Sequence, residues 1–321
     1  MGLRENEMKL VFIVPYFGQF KNYFQLFLNS CKFNEDITWL IFTDVKIKYN
    51  FPSNVKVYHM AFNELRSQFQ SKFDFPIALD KPYKLCDYRP AYGYLFSEYI
   101  DDYDAWGYCD TDLIWGNISE FITDKKLKEY DKIGDLGHCT IFKNTSKINK
   151  AFMLDLNNDF LYKKVFSNKN NQSFDEEYRN SINNIFEEHG FKILPTKRMA
   201  ANIYTKSSDF KLTYLKNKNS YHIENKSKNI FIWSYGSLIR YVNLKNRIEK
   251  REYLYIHMQS RNMKLNVKND ELRFKIIPNS FDALEEGNID VDNFPKYKHL
   301  NLHYFKLRSH NLIDKIKKNV F

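Results

Sequence analysis

Tyr103-Asp104-Ala105-Trp106-Gly107-Tyr108-Cys109-Asp110-Thr111-Asp112-Leu113-Ile114-Trp115-Gly116-Asn117 is the stretch on which the reading of this chain turns. An apolar, aromatic run leads into two aspartates one residue apart, and a second apolar run follows. The acidic pair is thus set into what should be core. Residues i and i+2 of an extended strand point the same way, so the carboxylates of Asp110 and Asp112 can converge on one point. Converging carboxylates repel unless a cation or a proton lies between them. Hard divalent cations such as Mg2+ or Mn2+ take oxygen ligands and accept bridging phosphate oxygens. The plainer alternative is a loop in which one aspartate caps a helix and the other is solvated, since an isolated D-x-D is a weak motif. The setting favours the metal, because no lysine or arginine stands beside the pair in the sequence.

Working outward, Lys9-Leu10-Val11-Phe12-Ile13-Val14 is a continuous apolar run of strand length, suited to a buried parallel strand. It ends at Pro15-Tyr16-Phe17-Gly18; a helix is expected over Asn22 to Cys31, and further strands over Ile37 to Phe42 and Val55 to Tyr58. Strand, helix, strand at this spacing predicts an α/β fold with a mostly parallel sheet. Ligands of such sheets bind outside the carboxyl ends of the strands, which puts Pro15, Tyr16, Phe17, Thr43 and Asp44 on the same rim as Asp110 and Asp112. There is no G-x-G-x-x-G, no P-loop and no glycine-rich basic loop. Tyr16 and Phe17 suit either stacking on a nucleotide base or simple packing. Lys84, Asp87 and Arg89, just upstream of the acidic strand, are placed either to meet a diphosphate or to be ordinary charges at a helix start, with the helix itself expected over Ala91 to Ile100.

Farther along, a charged helix or turn is expected over Lys125 to Lys132. Gly134 and Gly137 precede His138, which suggests close backbone approach to a ligand. Helices are expected over Ile148 to Leu161 and from Ser173, where Ser173 and Glu176 have capping-box spacing. The box would account for Glu176 and leave Asp175 and Glu177 free, and any acid here could instead face an acceptor hydroxyl. Lys206 to Asn229 reads as a polar loop or weak hairpin. The apolar run Tyr253 to Ile256 delivers His257, followed by Gln259, Arg261 and Lys264; a histidine there could close a metal site, with the cations on phosphates.

The 321 residues carry a net charge of +10, which points to an anionic partner. Aromatic residues at 17% exclude disorder. Cys31, Cys86, Cys109 and Cys139 form no C-x-x-C, so neither a zinc site nor a disulfide framework is expected. The polar start and the break at Pro15 argue against a signal peptide, and no run is long enough to span a bilayer. The expectation is a cytoplasmic protein, at most peripheral on the inner membrane face. A basic amphipathic segment after Lys296 reads either as a membrane-surface element or as a terminal helix covering the core. The domain expectation is a catalytic domain over 1–280 and a basic extension over 281–321.

Lys84-Leu85-Cys86-Asp87-Tyr88-Arg89-Pro90-Ala91-Tyr92-Gly93, Trp106 to Asp112 with Gly116, Gly137-His138 and His257-Met258-Gln259-Ser260-Arg261 together resemble bacterial glycosyltransferases of the GT-A fold. The nearest set is the poorly characterised transferases of capsule and O-antigen gene clusters, and the resemblance spans roughly residues 8 to 280. It implies a GT-A-like, Rossmann-like sheet flanked by helices and a UDP-sugar donor with Mn2+ or Mg2+ as cofactor. The activity it implies is transfer of a hexose, galactose-type as a first guess, to a lipid-linked or surface-polysaccharide acceptor. By position, Asp110 would lie near the donor ribose or sugar and also at the metal, Asp112 and His257 would ligate the metal, and Arg261 and Lys264 would lie near the diphosphate. Met258 and Ser260 depart from the aromatic and basic residues expected there. Inverting transfer would need a carboxylate base, for which Asp175 and Glu176 are the candidates; retaining transfer would not. The rival reading is a non-catalytic basic module binding nucleic acid or anionic membrane. No nucleic-acid motif supports it, and a nucleic-acid partner is not expected.

Overall fold

The computed structural model describes residues 8–176, 179–204, 209–217, 220–285, 287–295 and 309. Their contacts fall into two units. The first takes the described residues up to Phe20, then 34–111 and 119–196; the second takes 21–33, 112–118 and the described residues from 197 on.

The first unit is built on a seven-stranded sheet. Its order is Val55–His59, Ile37–Thr43, Leu10–Pro15, Ala105–Cys109, Cys139–Lys143, Lys132–Leu136 and Ile193–Leu194. The first four strands run parallel to one another, the next two pairings are antiparallel, and the last is parallel again. Leu10 to Val14 are all buried, which is why this strand is continuously apolar and not alternating. Helices flank the sheet and bury stripes spaced by three and four residues. Leu65 and Phe69 come from Phe62–Gln70, and Ile182, Ile185 and Phe186 from Ile182–Glu188. They join Val11, Ile13, Leu40, Phe42, Trp106 and Phe142 in one core. Gly93 lies against Trp106: a Cβ there would sit 2.4 Å from the indole. This is the α/β, mostly parallel, helix-flanked sheet that the sequence predicts.

The second unit carries three smaller sheets. A six-stranded one runs Ile248–Glu252, Ser237–Asn243, Lys228–Ser234, Arg273–Ile277, Ser280–Ala283 and Lys264–Asn266. A hairpin pairs Thr213–Asn217 with Ser220–Ile223. The third, of three short strands, has Tyr255–His257 at its centre, antiparallel to Leu113–Trp115 and parallel to Ala200–Asn202. The helix Phe24–Lys32, which occupies the chain between the first two strands of the large sheet, packs on Leu113–Trp115 and belongs to this unit.

Several expected helices are broken. The 91–100 stretch forms Tyr92–Leu95 and Ser97–Ile100, and 148–161 is reduced to Ser146–Asn149, a 3-10 turn Ala151–Met153 and a later helix Leu161–Ser167. Asn157 and Asn158 both adopt positive φ, which ends any continuous helix there. Asp124–Glu129 is helical, but Lys132 already begins a strand. The capping box is not at Ser173, whose φ of 52° is incompatible with the extended N-cap conformation. It forms at Ser181 and Asn184, at the start of Ile182–Glu188. No helix among the described residues is long and apolar enough to cross a membrane. The basic segment after Lys296 lies outside the described residues, Ser309 excepted.

Candidate functional site

The central strand Tyr255–His257 organises the second unit's share of the site. His257 is in register with Leu113 on one side and with Asn202 on the other. Asp112, the residue before Leu113, accepts the Met258 N–H on its backbone carbonyl at 3.0 Å, which extends the ladder to the acidic residue itself. His257 Nε2 then lies 3.3 Å from Asp112 Oδ1. The other carboxylate oxygen of Asp112 accepts the backbone N–H of Ser260. Burial works against the charge on Asp112, but His257 and the Ser260 N–H more than offset it and hold the carboxyl below its ordinary range. Asn202 Oδ1 lies 3.1 Å from His257 Nδ1 and 2.7 Å from Gln259 Nε2.

Asp110 stands two positions before Asp112 along the backbone. Asp112 and His257, both of the second unit, are the carboxylate and imidazole that face each other there. Neighbouring ligands of an octahedral ion with bonds of about 2.1 Å are roughly 3 Å apart, close to the His257–Asp112 separation. A carboxylate and an imidazole are donors that suit Mn2+ or Mg2+, and the pair fits such an ion.

In the first unit the Asp110 backbone N–H donates to the His138 carbonyl at 2.9 Å. Its carboxylate is ion-paired to Arg89 Nη2. The same guanidinium reaches Asp175 Oδ2 at 2.9 Å and the Gly137 carbonyl at 2.5 Å. Arg89 therefore links Asp110 to Asp175, a connection that spacing in the sequence does not reveal. Burial pushes the Asp175 carboxyl up to about 7; Arg89 pulls it back and Glu176 pushes it further. Gly137 N–H donates to Glu176 Oε2 at 3.2 Å. A Cβ on Gly137 would lie 2.7 Å from Asp175 Oδ2, so the close approach the glycine permits is made by the chain's own carboxylates.

The remaining sequence candidates fall in distinct places. Pro15 ends its strand, Tyr16 stacks on Phe20 at 4.5 Å, and Phe17 packs edge-on against Phe62. Asp44 accepts the Gly18 N–H at 3.1 Å, joining that loop to the end of the next strand, while Thr43 is buried and caps Val45. Lys84 and Asp87 face inward. They pair at 2.6 Å in full burial, Lys84 also bonds the carbonyls of Val165 and Asn170, and Asp87 takes the N–H groups of Gln172 and Phe174. Their geometry is that of an internal brace holding the segment that leads to Asp175. His138 is buried. Arg261 is wholly buried, its guanidinium on the Pro278 carbonyl and over the Phe210 ring, and burial lowers its pKa to about 10 against the pull of Asp209. Lys264 is exposed at the start of its strand. Asn202 carried no signal in the sequence, and nothing there set Gln259 on Asn202 or the Ser260 amide on Asp112, because strand register and the turn after His257 bring them together.

Fold and site together define an α/β protein with a buried carboxylate–imidazole pair at the second aspartate of the D-x-D. The chain belongs to DUF6625, a family of unknown function, which matches residues 12–285. No curated protein matches the sequence. Among solved structures it is similar to the galactosyltransferase LgtC in complex with donor and acceptor sugar analogues, at 11% identity and a TM-score of 0.33, over 61% of this chain and 76% of that one. An active-site mutant of LgtC is similar at 12% identity and a TM-score of 0.34, over 61% and 75%.

Proposed function

We propose that this chain is a metal-dependent glycosyltransferase that moves a hexose, galactose-type as the first donor to try, from a UDP-sugar to a hydroxyl of a lipid-linked or surface-polysaccharide acceptor. The observation that carries the reading is the buried Asp112–His257 pair, a carboxylate oxygen and an imidazole nitrogen 3.3 Å apart at adjoining strand ends. A divalent cation bound there supplies Lewis-acid stabilisation of the charge that develops on a leaving diphosphate. Asp112 and His257 hold its ligand positions with Asp110. Arg89, anchored by Asp110 and Asp175, is a cation fixed in orientation beside the acidic motif.

The acceptor hydroxyl must lose a proton. If transfer inverts, Asp175 or Glu176 takes it; a carboxyl raised to about 7 is well matched to proton transfer near neutral pH. If transfer retains configuration, the leaving diphosphate takes the proton and Arg89 and Asp175 serve to orient the donor. The aromatic loop Pro15 to Phe17, with Thr43 and Asp44, is the proposed base-side wall, and Lys264 the exposed cation nearest in sequence to His257. The basic segment after Lys296 is proposed to hold the enzyme at the inner membrane face, each cation adding on the order of 1 kcal/mol at an anionic surface; sedimentation of the full chain with anionic vesicles, lost in high salt, tests this.

Calorimetry of UDP with Mn2+ and with chelator, followed by nucleoside diphosphate release across a panel of sugar nucleotides, tests the function. Chelator-sensitive UDP binding is expected. UDP affinity indifferent to chelator, or stabilisation by sheared DNA and not by Mn2+ with UDP, would replace the transferase with a basic binding module.

A further inference from the structure

We propose that Asn202 is the positioning residue of the metal site: its side-chain oxygen, shared with the Gln259 amide, holds the Nδ1 edge of His257 and so sets the ring with Nε2 toward Asp112. The proposal rests on the metal reading of the site and adds to it how the imidazole is oriented. Asn202 and His257 are side-by-side partners in a parallel ladder, which brings their side chains out on the same face. Asn202 Oδ1 is 3.1 Å from Nδ1 of His257, and the Gln259 amide donates to the same oxygen at 2.7 Å. An oxygen that accepts from Gln259 has acceptor capacity left for one further donor, and Nδ1–H is that donor. A histidine that binds a metal through one nitrogen characteristically donates its other N–H to an outer partner, which fixes the ring's tautomer and tilt.

The backbone that delivers Gln259 carries independent support. Met258 to Arg261 is a tight turn closed by Arg261 N–H to the Met258 carbonyl at 2.9 Å, with φ of 52° at Gln259 and 54° at Ser260. Two successive non-glycine residues in the left-handed region are unfavourable unless the surroundings over-determine them. Here they do. Lys21 Nζ bonds the Ser260 carbonyl at 3.1 Å, the Tyr23 hydroxyl donates to the Arg261 carbonyl at 3.3 Å, and the Arg261 guanidinium is tied to Pro278. The result is one strained turn with two outputs. The Gln259 side chain is set on Asn202, which orients His257, and the Ser260 N–H is set on Oδ2 of Asp112, which leaves Oδ1 toward His257.

1H–15N spectra of the metal-free, histidine-labelled protein, at a pH that keeps the ring as the imidazolium, report how fast the His257 Nδ1–H exchanges with water. The signal is assigned by its loss in His257→Gln. The exchange is expected to be slower in the wild type than in Asn202→Leu; equal exchange in the two folded proteins overturns the proposal. Titration with Mn2+ alone then compares variants. Asn202→Leu should bind Mn2+ roughly 10- to 100-fold more weakly. Asn202→Asp, which keeps an acceptor for Nδ1–H, should restore binding, and Gln259→Ala should lose less than Asn202→Leu. A folded Asn202→Leu protein with wild-type Mn2+ affinity overturns the proposal, as does an equal loss in Asn202→Asp. Should the wild type bind no Mn2+, the proposed function fails, while the Nδ1–H exchange measured in metal-free protein still decides the role of Asn202.

Discussion

His257 Nε2 lies 3.3 Å from Oδ1 of Asp112, and the contact is a product of strand register. His257 pairs with Leu113 on the antiparallel neighbour, and Asp112 precedes Leu113. A shift of one residue would turn His257 to the opposite face and dissolve the site. The neighbouring carboxylate and imidazole are also each tied to a further group, Asp112 to the Ser260 N–H and His257 to Asn202. The pair is therefore held from both sides by the chain itself.

Asp112→Asn should abolish chelator-sensitive UDP binding while leaving the fold intact, since the amide keeps an acceptor for Ser260 and the volume is unchanged. His257→Ala should weaken metal-dependent binding less than this but by more than the roughly 10- to 100-fold of an outer-shell change, because water can occupy one vacated position. Calorimetry with Mn2+ and UDP, beside thermal denaturation, checks both. An Asp112→Asn protein that still binds UDP with Mn2+ as tightly as the wild type would remove the central role given to this carboxylate.

Asp175 gives a pH prediction. Its folded-state value is raised to about 7 from 3.8, so between those limits the folded protein holds a proton that the unfolded chain has released. Stability from this group is full below about pH 4 and falls as pH rises through 7. Asp175→Asn should flatten that decline in denaturant melts run from pH 4 to 8. If Asp175 is also the acceptor base, kcat/KM should rise with pH through about 7, and the amide should cost roughly 100- to 10,000-fold in rate. Near-full turnover in both Asp175→Asn and Glu176→Gln would shift the mechanism to retention.

The Lys84–Asp87 pair should prove structural. Both groups are buried, and the pair braces the backbone at Val165, Asn170, Gln172 and Phe174. Lys84→Met leaves a buried carboxylate without its cation, which typically costs 3–5 kcal/mol, on the order of a large core truncation. Urea denaturation measures the loss. If Lys84 instead served the donor diphosphate, the variant would keep its stability and lose UDP affinity.

Gly93→Ala should destabilise the first unit without touching the chemistry. The added methyl would meet the Trp106 indole at 2.4 Å, and that ring is held by stacking on Phe142 and by its bond to Asn149. Overpacking of this kind costs about 1–3 kcal/mol. A lowered melting temperature with unchanged Mn2+ and UDP affinity is the expected result.

Much of the α/β framework was legible because local rules write it. Continuous apolar runs at 10–14 and 37–42 can only be strands covered on both faces, and the D-x-D declares itself by carrying charge into a hydrophobic setting. Helices were less legible: Ser173 and Glu176 have capping-box spacing, yet Asp87 claims the neighbouring amides from 85 and 87 positions away, and the box forms at Ser181 instead. The sequence alone determined that Asp110, Asp112 and His257 were the groups to watch, because strand-end acids and a histidine are chemically conspicuous. Only the tertiary structure decided what surrounds them. Arg89 joins Asp110 to Asp175, Lys84 and Asp87 turn inward, Arg261 is buried, and Asn202 and the Ser260 amide bond the two partners of the His257–Asp112 pair. Those partners are set by register and by long-range packing, and neither is encoded in the spacing of residues along the chain.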